Sequence, residues 1–231
     1  MIVAVAGGKG GVGKSTVALN LARELEAVVV DGDLSSADLP RGTGPDLHDV
    51  LAGRVEPLDA IEQFWNMELL PCGRTIHGAR AADLRTFETV LERLDRTSGP
   101  VVVDCPVGLA RDVGTEIASA DVVVLVTNTD EAALENADRT RELAVTLDTP
   151  VGAVVLNKTD RTTYERVRTE IETRFNAPVT YIPERVAIQQ AQEDWVPVRD
   201  ALPDEDSAER FEDLADRLRD CRSQIERRRV R

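Results

Sequence analysis

Cysteine is scarce in this sequence and never paired. Cys72, Cys105 and Cys221 stand far apart and form no Cys-x-x-Cys pair, so the spacing that a zinc knuckle, a bridging iron–sulfur cluster or a disulfide framework needs is missing. The three are read as buried or neutral thiols, and the isolated His48 and His77 receive no chemical role. No apolar run approaches the ~18–20 residues of a membrane span. Met1–Ala6 is apolar but short, has no preceding basic region and runs straight into glycines. It is therefore read as a buried strand rather than a signal peptide, and the protein as cytoplasmic. Lysine is almost absent: of 28 basic residues only Lys9, Lys14 and Lys158 are lysine. The remainder are arginine, set against 42 acidic residues for a net charge of −14. Such a surface stays hydrated in concentrated salt, where screening removes most of its self-repulsion. A salt-adapted, halophilic host and a plain arginine bias of GC-rich coding both account for it. The lysines that remain sit in one glycine-rich loop and one Asn-Lys-Thr-Asp run, and that distribution points to a nucleotide.

A hydrophobic content of 42% supports a real core. Short β-branched runs alternate with stretches of helical period, the pattern of a parallel sheet covered on both faces. Strands are predicted at Ile2–Ala6, Ala27–Asp31, Glu68–Pro71, Val101–Asp104, Val122–Thr127, Val151–Leu156 and Val179–Ile182. Helices are predicted at Ser15–Glu26, Ala79–Arg96, Asp130–Leu147, Arg161–Arg174, Glu184–Gln192 and Asp204–Arg227, with shorter pieces at Asp46–Gly53 and Pro57–Phe64. The expected fold is α/β, a doubly wound and mostly parallel sheet with helices on both faces. Residues 1–221 are taken as one domain and 222–231 as a short basic tail, since no repeat or linker divides the chain. In such sheets ligands bind beyond the carboxyl ends of the strands. The polar residues of interest do follow predicted strands: Gly7–Ser15, Asp31–Asp38, Asp104–Gly108, Asn157–Asp160 and Pro183–Glu184.

The run Ala6-Gly-Gly-Lys-Gly-Gly-Val-Gly-Lys-Ser-Thr16 holds a phosphate-loop pattern between a strand and an amphipathic helix, with Gly8, Gly13, Lys14 and Ser15 at the required spacing. Glycines let the backbone turn its N–H groups onto a phosphate, and the next helix presents its positive end. Lys14 then meets the β- and γ-phosphates and the Ser15 hydroxyl holds Mg²⁺. Gly8 through Thr16, that is Gly8, Lys9, Gly10, Gly11, Val12, Gly13, Lys14, Ser15 and Thr16, form the candidate nucleotide cradle. Lys9 is the unusual member, because a phosphate loop does not require lysine there; the residues alone also allow a solvated loop lysine.

Lys9-Gly-Gly-Val-Gly-Lys-Ser15 resembles the deviant phosphate loop of the MinD/ParA family of ATPases. In that family the first lysine reaches across an ATP-sandwiched dimer to the partner's nucleotide. The resemblance implies ATP and Mg²⁺ as ligands, an ATP-dependent homodimer, and Lys9 as a catalytic group acting in trans on the transferring phosphoryl group. The run Val30-Asp31-Gly-Asp33 sets two carboxylates at i and i+2 on one side of a strand, where both can address a metal and its waters. By resemblance to the family's switch I, Asp33 orients the attacking water and Asp31 supports the metal shell. The following Ser35-Ser-Ala-Asp38 departs from the family, which often has Asn there. Val101-Val-Val-Asp104-Cys-Pro-Val-Gly108 has the form of a Walker B strand and switch II, with Asp104 facing the metal and Pro106 and Gly108 matching the family; Cys105 and Val107 depart from it.

Asn157-Lys-Thr-Asp160 looks like the guanine-reading run of GTPases, but the family also places Asn at this strand end against adenine. ATP is the favoured nucleotide, while Asp160 keeps a case for guanine. Ile182-Pro-Glu184 resembles the family's further base-lining turn, which adds Pro183 and Glu184 to the candidate nucleotide residues. Phe211, Leu214 and Leu218 fall at core spacing in the last helix. The remaining residues offer only Ile225 and Val230 as apolar surface, too little for direct membrane binding. The last ten residues carry five arginines against one glutamate, for a charge of +4. They are read either as a solvated helix end or as a contact for nucleic acid, lipid headgroups or an acidic partner. The resemblance implies a weak ATPase, gated by dimerisation and partner, that positions or recruits an unknown protein or complex in the cytoplasm, at the membrane or a cell pole through that partner. Two alternatives remain: a DNA-partition ATPase of ParA type, which the acidic body disfavours, and a nucleotide-gated binding module with negligible turnover. A metal-cluster carrier lacks the paired cysteines it needs.

Overall fold

The computed structural model describes residues 1–34, 39–108 and 111–229. The strands are β1 (Ile2–Ala6), β2 (Val28–Asp31), β3 (Glu62–Phe64), β4 (Met67–Leu70), β5 (Val101–Asp104), β6 (Val122–Thr127), β7 (Val151–Asn157) and β8 (Val179–Ile182). They form one sheet in the order β3-β4-β2-β5-β1-β6-β7-β8. All pairings are parallel except the β3–β4 hairpin at the edge. The sequence-based expectation of a doubly wound, mostly parallel sheet is borne out. Valine dominates the central strands because both of their faces are covered: every residue of β1, β2, β5 and β6 is buried.

The helices are α1 (Lys14–Leu25), α2 (Leu47–Leu51), α3 (Ile76–Ala81), α4 (Phe87–Thr97), α5 (Arg111–Ala118), α6 (Glu131–Thr146), α7 (Arg161–Phe175), α8 (Val186–Glu193), α9 (Val198–Ala201) and α10 (Asp206–Arg229). Strand alternation sorts the core into two layers. Ile2, Ala4, Val28, Val30, Val101 and Val103 face α4, α5, α6 and α7, which contribute Phe87, Leu91, Ile117, Leu134, Ile171 and Phe175. Val3, Val5, Val29 and Val102 face α1 and α10, which bring Val17, Leu21, Phe211, Leu214 and Leu218. Asp31 and Asp104 continue the alternation of Val29 and Val102, and they are register partners on adjacent strands. Both carboxylates therefore leave the sheet at its carboxyl edge on the α1 side.

Several segments differ from expectation. Pro57–Ala60 is a 3₁₀ turn, and the chain then extends as β3 instead of completing a helical piece to Phe64. The predicted helix Ala79–Arg96 is split, because the Asp83 carboxylate accepts from the Arg85 N–H and caps a 3₁₀ turn at Leu84–Thr86 before α4 begins. Helices α5 and α9 were not expected; α5 has only eight residues, and its apolar face buries Val113 and Ile117. The closing helix runs from Asp206 to Arg229, past the residue at which the sequence reading begins a separate tail. The departure at Ser35–Asp38 and the end of the tail at Val230–Arg231 lie outside the described residues.

Candidate functional site

The phosphate loop leaves β1, the strand at which the sheet order reverses direction, and feeds α1. Gly13 caps α1 at φ 93° and ψ 33°, a left-handed conformation that favours glycine. The first turn of α1 contains no acidic residue, so the positive end of the helix is left to an outside anion. The backbone amides of residues 8–13 donate to no acceptor among the described residues. Two side chains from the end of β7 instead hold the loop's carbonyls. Asn157 Nδ2 donates to the Val12 carbonyl at 2.8 Å, and Lys158 Nζ donates to the Gly11 carbonyl at 3.0 Å. Loop carbonyls are thereby engaged on the β7 side while the amides stay available, the arrangement of an anion-binding nest.

Lys14 completes the cradle. Its side chain is nearly buried, with 5% of the residue exposed, yet among the described residues no hydrogen bond or ion pair reaches it. An ammonium that lines a cavity without a hydrogen-bonded partner of its own suits an anionic ligand. A polyphosphate is one, and the orphan amides around Lys14 fit the same group.

An open cavity of about 750 Å³ extends from this loop. It is lined by Gly10, Gly11, Gly13, Lys14, Ser15, Thr16, Asn157, Pro183 and Glu184, which brings together most of the nucleotide residues read from the sequence. Gly8, Lys9 and Val12 do not line it. Gly8 lies so close to Asn136 that a Cβ would come within 2.6 Å of it, and Val12 is buried beneath the loop. The far wall was not read from the sequence: Ile188 and Gln192 of α8 and Trp195 just beyond it face the same space. An amphipathic helix following β8 was legible, but not which of its side chains turns to the ligand.

Asp31, Asp33 and Asp104 are all buried at the sheet edge. Asp31 also fixes the backbone that follows it. Its Oδ1 accepts from Asp33 N–H at 3.2 Å and its Oδ2 from Leu39 N–H at 3.1 Å, so both oxygens hold the loop that follows β2. The same loop is gripped from outside, where the Cys72 thiol donates to the Asp33 carbonyl at 2.8 Å and His48 Nε2 lies 3.0 Å from the Leu34 carbonyl. No cage of three or more His, Cys, Asp or Glu side chains converges on a metal position among the described residues. A magnesium ion carried on a nucleotide needs only one or two carboxylates besides phosphate oxygens and waters, and Ser15 with Asp104 meets that requirement.

Beyond β5, Pro106 is buried and Gly108 adopts φ 96°. Val107, between them, is 43% exposed and would stand 3.9 Å from a Cβ on Gly10, so this loop borders the phosphate loop. Beneath the loops that follow β2 and β5 lies Glu116, fully buried on α5, close enough that a Cβ on Gly32 would meet its Oε1 at 2.8 Å. Burial drives its carboxyl well above the ordinary range, and the charges of Asp112, Asp104 and Asp33 add to the effect. Burial likewise pushes the Cys105 and Cys72 thiols up, which keeps them neutral, as the sequence reading held.

Lys9 turns away from its own cavity and pairs with Asp130 at the start of α6. Its side chain is 41% exposed, and the pairing lowers the pKa of Asp130. Asp160, the residue that kept guanine open, caps α7: its carboxylate accepts from Thr163 N–H at 3.0 Å and Thr163 Oγ1 at 2.7 Å. It does not line the principal cavity.

A glycine cradle at the reversal point of a doubly wound sheet, closed by a lysine and flanked by the loops after β2 and β5, defines a phosphate-loop nucleotide-binding protein. Residues 3–198 match the model of the CobQ/CobB/MinD/ParA nucleotide binding domain, and the chain belongs to that family of ATP-binding phosphate-loop ATPases. It is 32% identical over 203 residues to an uncharacterized ATP-binding protein of Methanocaldococcus jannaschii, covering 83% of this chain and 77% of that one. Among solved structures it resembles the cell division ATPase MinD of Pyrococcus furiosus, with a TM-score of 0.83, 28% identity and coverage of 95% and 98% of the two chains. The septum site-determining protein MinD of Pyrococcus horikoshii, solved as a complex with Mg-ADP, superposes with a TM-score of 0.84 at 28% identity over 94% of this chain and 95% of that one.

Proposed function

We propose that this protein is a Mg-ATP-dependent, dimerising ATPase of MinD/ParA type that positions or recruits a partner inside the cell, with hydrolysis gated by assembly. The observation that carries the nucleotide part is Lys14, a residue only 5% exposed that lines the cavity and whose ammonium meets no hydrogen-bond or ion-pair acceptor among the described residues, set in a loop whose amides are equally unengaged. In this reading the loop amides and Lys14 hold the phosphates. Ser15 and Asp104 hold Mg²⁺, which when bound neutralises phosphate charge and polarises the transferring group. Asp33, placed by the Asp31 carboxylate and the Cys72 thiol, aligns the attacking water.

Adenine is favoured over guanine because Asp160 is turned to the α7 cap and does not line the cavity that opens from the phosphate loop. Lys9 supports the dimer. It does not line its own cavity, and among the described residues its exposed ammonium is held by one surface carboxylate, a weak and exchangeable partner. A second copy's phosphates would compete well for it. The relatives' names add that proteins of this build serve in cell division, which agrees with a positioning role.

Calorimetric titration of ATP·Mg²⁺ into wild type and Lys14→Ala tests the nucleotide site. Saturable binding by the wild type and none by the variant is the expected result. Equal binding by both would remove Lys14 from the site and the reading with it.

A further inference from the structure

Helix α8 ends in a Schellman turn. Val196 N–H donates to the Ala191 carbonyl at 2.8 Å, and Trp195 N–H donates to the Gln192 carbonyl at 3.1 Å. The turn places Trp195 at φ 54°. Helices most readily end on glycine at this position, and a bulky side chain there is a steric outlier. Among the described residues three other helices end in the same backbone conformation on a residue that is not glycine, Glu26, Asp148 and Asn176, all of them exposed. Trp195 is different: it is partly buried against the α1-side core and lines the cavity that opens from the phosphate loop. Aromatic residues make up only 3% of the sequence, and this is one of two tryptophans. A large aromatic kept in a strained conformation on the wall of a ligand cavity links the strain to the ligand.

The cavity has two chemically distinct ends. Lys14, Ser15 and Thr16 present charge and hydroxyl groups, whereas Pro183, Ile188 and Trp195 present apolar surface. A nucleotide has the same polarity, charged at the phosphates and flat and apolar on the faces of the base. We infer that Trp195 is the stacking wall for the nucleobase, a residue that adds affinity for a base once the phosphate loop holds the phosphates. The inference rests on the nucleotide reading above. Because every base offers a π-face, stacking on Trp195 strengthens binding without choosing between adenine and guanine. The choice falls to groups at the base edge, such as Asn157.

The full chain carrying Trp65→Phe leaves Trp195 as its only tryptophan; Trp65 lies in the exposed β3–β4 turn, far in sequence from any cavity residue on α8. Titration with ATP·Mg²⁺ should quench its emission with the midpoint seen by calorimetry, while inorganic tripolyphosphate with Mg²⁺ should bind without quenching. In a second variant, Trp195→Gly, which suits the left-handed turn, ATP should bind about tenfold more weakly and tripolyphosphate as in the wild type. ATP binding to Trp195→Gly at wild-type strength, or emission that ignores bound ATP, would overturn the stacking wall and leave the nucleotide site standing. An equal loss of tripolyphosphate binding would also overturn it, since the residue would then be supporting the whole site. Absence of ATP binding to the wild type would overturn the nucleotide reading instead.

Discussion

At the scale of single residues, the site is governed by a cavity-lining lysine and a buried carboxyl. Lys14 is a cation awaiting an anion, and Glu116 is a carboxyl enclosed beneath the loops that follow β2 and β5 with negative neighbours. The folded-state pKa of Glu116 is raised above its value in the unfolded chain, so folding binds a proton as pH rises through that interval. The associated stability is complete below the ordinary carboxylate pKa of 4.5 and is lost as pH climbs toward the folded value. In urea unfolding of the nucleotide-free protein, Glu116→Gln should abolish that part of the pH slope and be the more stable form near pH 8. A variant with the wild-type slope would show that Glu116 is ionised in the fold. Lys14, Ser15 and Asp104 were legible from sequence because their chemistry demands a fixed spacing next to a strand. Glu116 was not, since a lone buried acid on a short helix has no spacing signature. Trp195 was missed because its meaning depends on a backbone angle and a cavity that only the fold creates.

At the scale of elements, α1 works as a mount for the phosphate loop and is fixed along its length. Asn20 sits mid-helix and is buried. Its Nδ2 donates to the Thr16 carbonyl at 2.8 Å, and its Oδ1 accepts from Val198 N–H at 2.7 Å, tying α1 to the start of α9 just after the Trp195 turn. Further down, Arg23 makes a two-pronged pair with Asp200, and Arg199 bridges Glu24 of α1 to Glu212 of α10. Asn20→Ala would leave the Val198 amide buried and unsatisfied. It should cost about 1–3 kcal/mol, seen as a lower urea midpoint with an unchanged slope; a midpoint equal to wild type would show that water replaces the side chain. The parallel strands were readable because burial on both faces selects continuous valine runs. The β3–β4 hairpin was not, because its two-residue turn is Trp65-Asn66 with Trp65 at φ 51°, and tryptophan is no turn signal. The split between α3 and α4 escaped for a related reason, since Asp83 reads as an ordinary helix-surface acid until its carboxylate is seen capping the next turn.

At the scale of the whole molecule, the sheet order brings the loops after β1, β2, β5 and β7 to one edge, and these loops hold nearly all the chemistry. Lys9 stands out from that edge on the surface, bound to Asp130 rather than to anything in its own cavity. In the proposed mechanism this geometry turns nucleotide binding into a change of assembly, because the exposed lysine gains a phosphate partner only when a second nucleotide-loaded copy faces it. A body of net charge −14 opposes self-association, so the nucleotide and its metal must supply the attraction. The most direct test is the light-scattering mass of the purified protein with ADP·Mg²⁺ and with ATP·Mg²⁺, measured for wild type and for Lys9→Ala. The account predicts 25.3 kDa with ADP, twice that mass with ATP, and a weakened shift in the variant. A wild-type mass that stays at 25.3 kDa in ATP·Mg²⁺ would contradict it.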